Sequence, residues 1–155
     1  MEHLYKSICE SINEMIPSDW DRVVLYAEIL EDSREVYFFF NTKQNQDYIY
    51  SHDIPRAYGI SKQEYITNLN NLQELFKELR NQFKKNEQDL WTNLTLHLDC
   101  LGNLKIEYDY MNILNSVFSD DERQLFWEYE HLGILPEDEE DKEIVLNYIK
   151  NKDNN

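Results

Sequence analysis

Two kinds of apolar spacing alternate along this chain, and they predict its elements. Leu4, Ile8, Ile12 and Ile16 recur every four residues with Met15 beside them, which predicts an amphipathic helix stopped by Pro17. From Trp20 to Leu30 the period shortens to two. Val23, Leu25, Ala27 and Ile29 share one face, while Val24, Tyr26 and Leu30 predict partial cover on the other. Glu31-Asp32-Ser33 is a turn and Val36 to Phe40 a second strand, so residues 20–40 read as an antiparallel hairpin. Asp47 to Tyr50 adds a short third strand, and His52 to Arg56 reads as a loop.

The helical period returns after Ser61. Ser61 and Glu64 form S-x-x-E, the spacing of a capping box. Tyr65, Leu69, Leu72, Phe76, Leu79 and Phe83 then alternate four- and three-residue steps, which predicts a long helix to about Lys85. Leu94, Leu96, Leu98 and Cys100 alternate with polar residues, Gly102-Asn103 turns the chain, and Leu104, Ile106, Tyr108 and Tyr110 alternate again. This second hairpin has one apolar face, and Cys100 on that face reads as a buried, inert thiol. A second S-x-x-E, Ser119 to Glu122, opens a helix whose buried side is marked by Leu125, Tyr129 and Leu132. Gly133 and Pro136 end it. Ile144, Val145, Tyr148 and Ile149 mark a short terminal helix, and residues 151–155 read as a frayed tail. The fold class that follows is α+β: an antiparallel β-sheet built from two hairpins, with helices packed on one side, in a single domain over residues 1–150.

Composition narrows the class. Hydrophobic residues make up 41% and aromatics 14%, too many for a disordered chain. There is no signal-like start and no apolar run long enough for a membrane span, so a cytoplasmic location is expected. Cys9 and Cys100 form no CxxC and read as reduced, packed thiols. Charge adds more. Asp and Glu number 31 against 15 Lys and Arg, a net of -16, and the excess is uneven. Residues 1–60 carry -6, residues 61–106 are neutral, and residues 107–155 carry -10. A field of that sign repels nucleic acid and favours encounter with a basic partner, and self-repulsion favours a monomer.

Enzyme chemistry finds little support. His3, His52, His97 and His131 lack metal-ligand spacing, and no metal or other cofactor is expected. Neither cysteine has a nucleophile context, and no Gly-rich phosphate loop exists. Glu107 and Asp109 project from one strand face and could pair as hydrolase carboxylates. In a chain this acidic such pairs arise by chance, and no catalytic residue is assigned.

The candidate surface lies in the last third. Asp120, Asp121 and Glu122 begin a helix, where carboxylates also answer the helix dipole. Trp127 sits about 200° around the helix from Leu125 at 3.6 residues per turn, which allows two readings equally: an exposed interface anchor near Glu130, or a ring packed against the terminal helix. Glu137, Asp138, Glu139, Glu140 and Asp141 form an acidic run that serves equally as a solvated helix start or a surface for a basic partner.

Several segments together resemble the YezG-like antitoxin family. They are Ile12-Asn13-Glu14-Met15-Ile16-Pro17 with Trp20, Tyr26-Ala27-Glu28, Glu35-Val36 and Ile54-Pro55-Arg56 before a capped helix. Leu75-Phe76-Lys77-Glu78-Leu79-Arg80-Asn81 with Phe83, Trp91-Thr92, and Gly102-Asn103-Leu104-Lys105 with Tyr108-Asp109-Tyr110 continue it. Trp127-Glu128-Tyr129 and Gly133-Ile134-Leu135-Pro136-Glu137 complete it, in order over about residues 4–150. The resemblance implies a cytoplasmic immunity protein that binds, one to one, the basic nuclease domain of a toxin exported by type VII secretion. It carries over no catalytic residue and no direct nucleic-acid contact. An acidic DNA mimic acting on another DNA-binding protein is the alternative that the charge alone allows.

Overall fold

The computed structural model describes residues 1–154. Their contacts divide the chain into two compact units, Met1–Met111 and Asn112–Asn155. The residues at the division, Asn112 to Phe118, include Ile113, Leu114, Val117 and Phe118, so the composition does not mark a linker there.

The first unit contains α1 (Glu2–Met15), β1 (Arg22–Ile29), β2 (Arg34–Asn41), β3 (Ile49–Tyr50), α2 (Ile54–Tyr58), α3 (Lys62–Lys85), β4 (Asn93–Asp99) and β5 (Leu104–Asp109). The expected α+β architecture is what the chain forms. The sheet is antiparallel throughout, in the order β3-β2-β1-β4-β5. Register explains why these strands share a core. Leu25 lies opposite both Phe38 and Leu96, Val23 opposite Phe40 and Leu98, and Ala27 opposite Val36 and Leu94. Side chains directly opposite point to the same face, so each rung sets three apolar residues abreast. Ile8 and Ile12 of α1 and Leu72, Phe76 and Leu79 of α3 complete that core, and all are buried.

The other face of the sheet also carries buried aromatics. Tyr26 stacks on Tyr37 with ring centroids 5.1 Å apart, and Phe39 stacks on Tyr50 at 4.9 Å. Glu28 is buried there and accepts a 2.7 Å hydrogen bond from the Tyr26 hydroxyl, which satisfies a group that would be costly alone.

Two expectations for this unit need correction. The stretch from His52 to Arg56 is not a loop: a 3₁₀ turn over Ser51–Asp53 leads into α2, which ends at Gly59 with φ 66°. Pro55 falls in the first turn of α2, where its missing N–H costs nothing. Cys100 is exposed, because β4 ends at Asp99 and the thiol belongs to the turn. Asp99 builds that turn, accepting from the Leu101 N–H (2.9 Å) and from both nitrogens of Asn103 (3.0 and 2.8 Å). Those bonds, the Asn103 side-chain bond foremost, hold its carboxyl below the usual carboxylate range. Both cysteines are free thiols.

The second unit has a 3₁₀ turn (Ile113–Asn115), α4 (Asp120–Leu132) and α5 (Glu139–Asp153). The expected capping box forms. Ser119 Oγ accepts from the Glu122 N–H at 3.2 Å, and the Glu122 carboxylate accepts from the Ser119 N–H at 2.9 Å. Ser119→Ala is expected to cost about 1 kcal/mol of stability. Thermal unfolding beside Ser119→Asp, which keeps an acceptor at the cap, checks this. Equal losses in both variants would rule out the cap as the cause.

The terminal helix is longer than expected. It starts within the acidic run and continues to Asp153, so residues 151–153 are helical rather than frayed. Asn155, the end of the expected tail, lies outside the described residues. Among the described residues no helix is long and apolar enough to cross a membrane.

Candidate partner-binding site

The second unit holds the candidate residues, and its composition makes it a dense acidic surface. Residues 112–155 carry 12 acidic and 4 basic side chains, a net of -8 on 44 residues. The first 111 residues carry the same net charge on more than twice the length.

An aromatic cluster fixes α4 against α5. Phe126 meets Tyr148 edge-on with centroids 3.9 Å apart, and Phe118 stacks on Tyr148 at 5.7 Å. Glu130 closes the same contact, accepting from the Tyr148 hydroxyl at 3.1 Å and from Lys152 Nζ at 2.8 Å. The Glu130 hydrogen bond raises the Lys152 pKa, and burial with the nearby Glu130 charge raises that of Tyr148. Glu130 therefore has a structural task that its sequence position did not announce.

The remaining candidate carboxylates sit in two groups, one at the start of each helix. Asp120, Asp121 and Glu122 form the first turn of α4, with Asp120 paired to Arg123 and Glu122 engaged in the capping box. Asp138 caps α5, its side chain accepting from the Asp141 N–H at 3.0 Å, and Glu139, Glu140 and Asp141 form the first turn. Glu137, Asp138, Glu139 and Glu140 are exposed. Both groups sit at helix N-termini, where the aligned peptide dipoles favour negative charge.

Of the two readings of Trp127, the exposed anchor is the one that fails. Trp127 is 7% exposed, and its ring lies 5.3 Å from that of His131 one turn along α4. The buried residues of α4 are Phe126 and Trp127, not Leu125, Tyr129 and Leu132. In a helix with apolar residues at 125, 126, 127, 129 and 132, more than one stripe fits the period. Glu128, next to it, is partly buried, and burial holds its carboxyl above the usual range.

The paired carboxylates of β5 have local partners. Asp109 accepts from Asn93 Nδ2 at 3.0 Å, and Glu107 pairs with Lys105 at 3.0 Å. Both are exposed on an edge strand.

Sequence inspection missed an apolar surface in this unit. Leu114 and Val117 stand in solvent, and Phe118 is only partly covered. They belong to no periodic stripe, and that was the available signal: apolar residues between a strand and a capping box with no element to bury them.

Comparison with known proteins decides the family. The family described as immunity protein YezG-like matches residues 1–146. This chain belongs to the YezG-like immunity protein family. Immunity protein YezG of Bacillus subtilis (strain 168) is 49% identical over 149 residues, covering 96% of this chain and 99% of that protein. Immunity protein YezG of Bacillus spizizenii is 44% identical, covering 97% and 93%. The type VII secretion system protein EsaG of Staphylococcus aureus is 35% identical over 139 residues, covering 90% and 85%. The YezG-like match covers the first compact unit and reaches residue 146 in the second.

Proposed function

We propose that this chain is an immunity protein that binds the nuclease domain of a cognate toxin exported by type VII secretion, one to one in the cytoplasm, and blocks it without catalysing a reaction. Membership of the YezG-like family carries this reading, and the name of the staphylococcal relative supports the secretion system. Charge supports the partner's chemistry. A nuclease cleft is basic because it must hold phosphates. A protein of net -16 is attracted to such a cleft and steered into it.

The acidic starts of α4 and α5 supply the steering charge in this reading. Trp127, being buried, is not the anchor.

The test is co-purification with the toxin domain encoded beside this chain's gene, followed by a DNA-degradation assay. An equimolar complex with suppressed degradation is expected. Free toxin and unimpeded digestion would remove the reading. Recovery of an unrelated DNA-binding protein from the native host would favour the DNA-mimic alternative, which the charge supports equally.

A further inference from the structure

Leu114 is 83% exposed and Val117 is 89% exposed, so neither side chain gains appreciably from burial in the folded chain. The backbone that carries them is nevertheless fixed. The Asn115 N–H donates to the Asn112 carbonyl at 3.2 Å and the Ser116 N–H to the Ile113 carbonyl at 3.0 Å. The Phe118 N–H donates to Ser116 Oγ at 3.2 Å, and Arg123 Nη1 donates to the Phe118 carbonyl at 3.0 Å. Ile113 is buried beneath this turn. Leu114 and Val117 are thus held outward.

Phe118, 40% exposed, continues this apolar surface into a groove between α4 and α5. The groove has a volume of 470 Å³ and is lined by Phe118, Phe126, Ile144 and Tyr148, with Glu122 and Lys152, the latter paired to Glu130, as its charged residues. Asp120 and Asp121 directly precede Glu122 and are exposed. Exposed apolar side chains bordered by charge have the anatomy of a protein interface: an apolar centre with a polar rim. The groove itself carries both signs, so the net charge of the unit around it selects the occupant. A unit of net -8 suits a basic partner, whereas a second copy would set two like fields face to face.

We propose that the ridge Leu114–Phe118 and the groove beside Phe118 form the apolar centre of the contact with the toxin domain, receiving an apolar side chain flanked by lysine or arginine on a basic face of that domain. This rests on the immunity reading and adds where the complex is held. The helix-start carboxylates govern the rate of encounter, and the ridge governs the lifetime.

The test is the double variant Leu114→Ser, Val117→Ser. Because both side chains stand in solvent, its melting temperature should match that of the unsubstituted chain. Binding is measured against a catalytically inactivated form of the toxin domain encoded beside this gene. At least about tenfold weaker binding is expected, mostly through faster dissociation. Leu101→Ser, at a position 84% exposed in the first unit, should bind like the unsubstituted chain. Unchanged affinity in the double variant would overturn the ridge while leaving the immunity reading intact, since the complex would still form. Equal weakening by Leu101→Ser would overturn the ridge as a specific contact. A change in self-association with toxin binding preserved would assign the ridge to a second copy and overturn the proposal. Failure of the unsubstituted chain to bind would overturn both readings.

Discussion

Truncation of Phe76 to alanine is expected to destabilise the first unit by about 3–5 kcal/mol. Phe76 is fully buried at the middle of the α3 stripe, in the core that joins α1 and α3 to the sheet. Removing the ring forfeits its transfer free energy and leaves a cavity that surrounding side chains fill only in part. A typical domain is stable by about 5–15 kcal/mol, so this loss removes a large share of the total. Urea unfolding should show a lower midpoint with little change in slope. Ile66→Ala, at an exposed position on the same helix, serves as the control and should cost far less. A loss below about 1 kcal/mol for Phe76→Ala would contradict its place in the core.

Neutralisation of Glu137, Glu139 and Glu140 to glutamine is expected to slow association with the toxin domain by between about 10- and 100-fold at low salt. These residues are exposed, so their charge acts at a distance with little desolvation cost. Glutamine keeps a similar helix propensity, and Asp138 stays in place to cap α5. The salt dependence of the association rate should flatten, because fewer charges remain to be screened. Dissociation should change little. Stopped-flow association at several salt concentrations reads both quantities. An unaltered rate would remove the α5 start from the interaction surface.

Much of the fold was legible because its signals are local. The long stripe from Tyr65 to Phe83 fixed α3, and strict alternation fixed both hairpins. Strand order was not legible. The pairing of β1 with β4 joins residues about seventy positions apart, and no local pattern encodes it. The helix α2 was missed because Ile54–Tyr58 is too short to show a period and its proline suggested a break. Cys100 continues the alternation of β4 one step beyond the end of the strand. In the candidate site, the capped start of α4 was readable from Ser119 and Glu122. The burial of Trp127 was not, because clustered apolar residues in a short helix leave its orientation open. The exposed ridge was unreadable for a related reason: an apolar residue in sequence is presumed buried until a structure shows what surrounds it.

The central position of β1 bears on how the chain assembles as it is made. Its hairpin partner β2 follows within a few residues, yet its other neighbour, β4, arrives only after α3 has been synthesised. Until then a strand destined for the middle of the sheet is an open edge, with unpaired backbone groups and a row of apolar side chains. Nascent chains that stop short of Asn93 present that edge to one another. Docking of the second hairpin covers β1 on both sides and moves the sheet's edges to β3 and β5, so the vulnerability of β1 lasts from the synthesis of the first hairpin to that of β4.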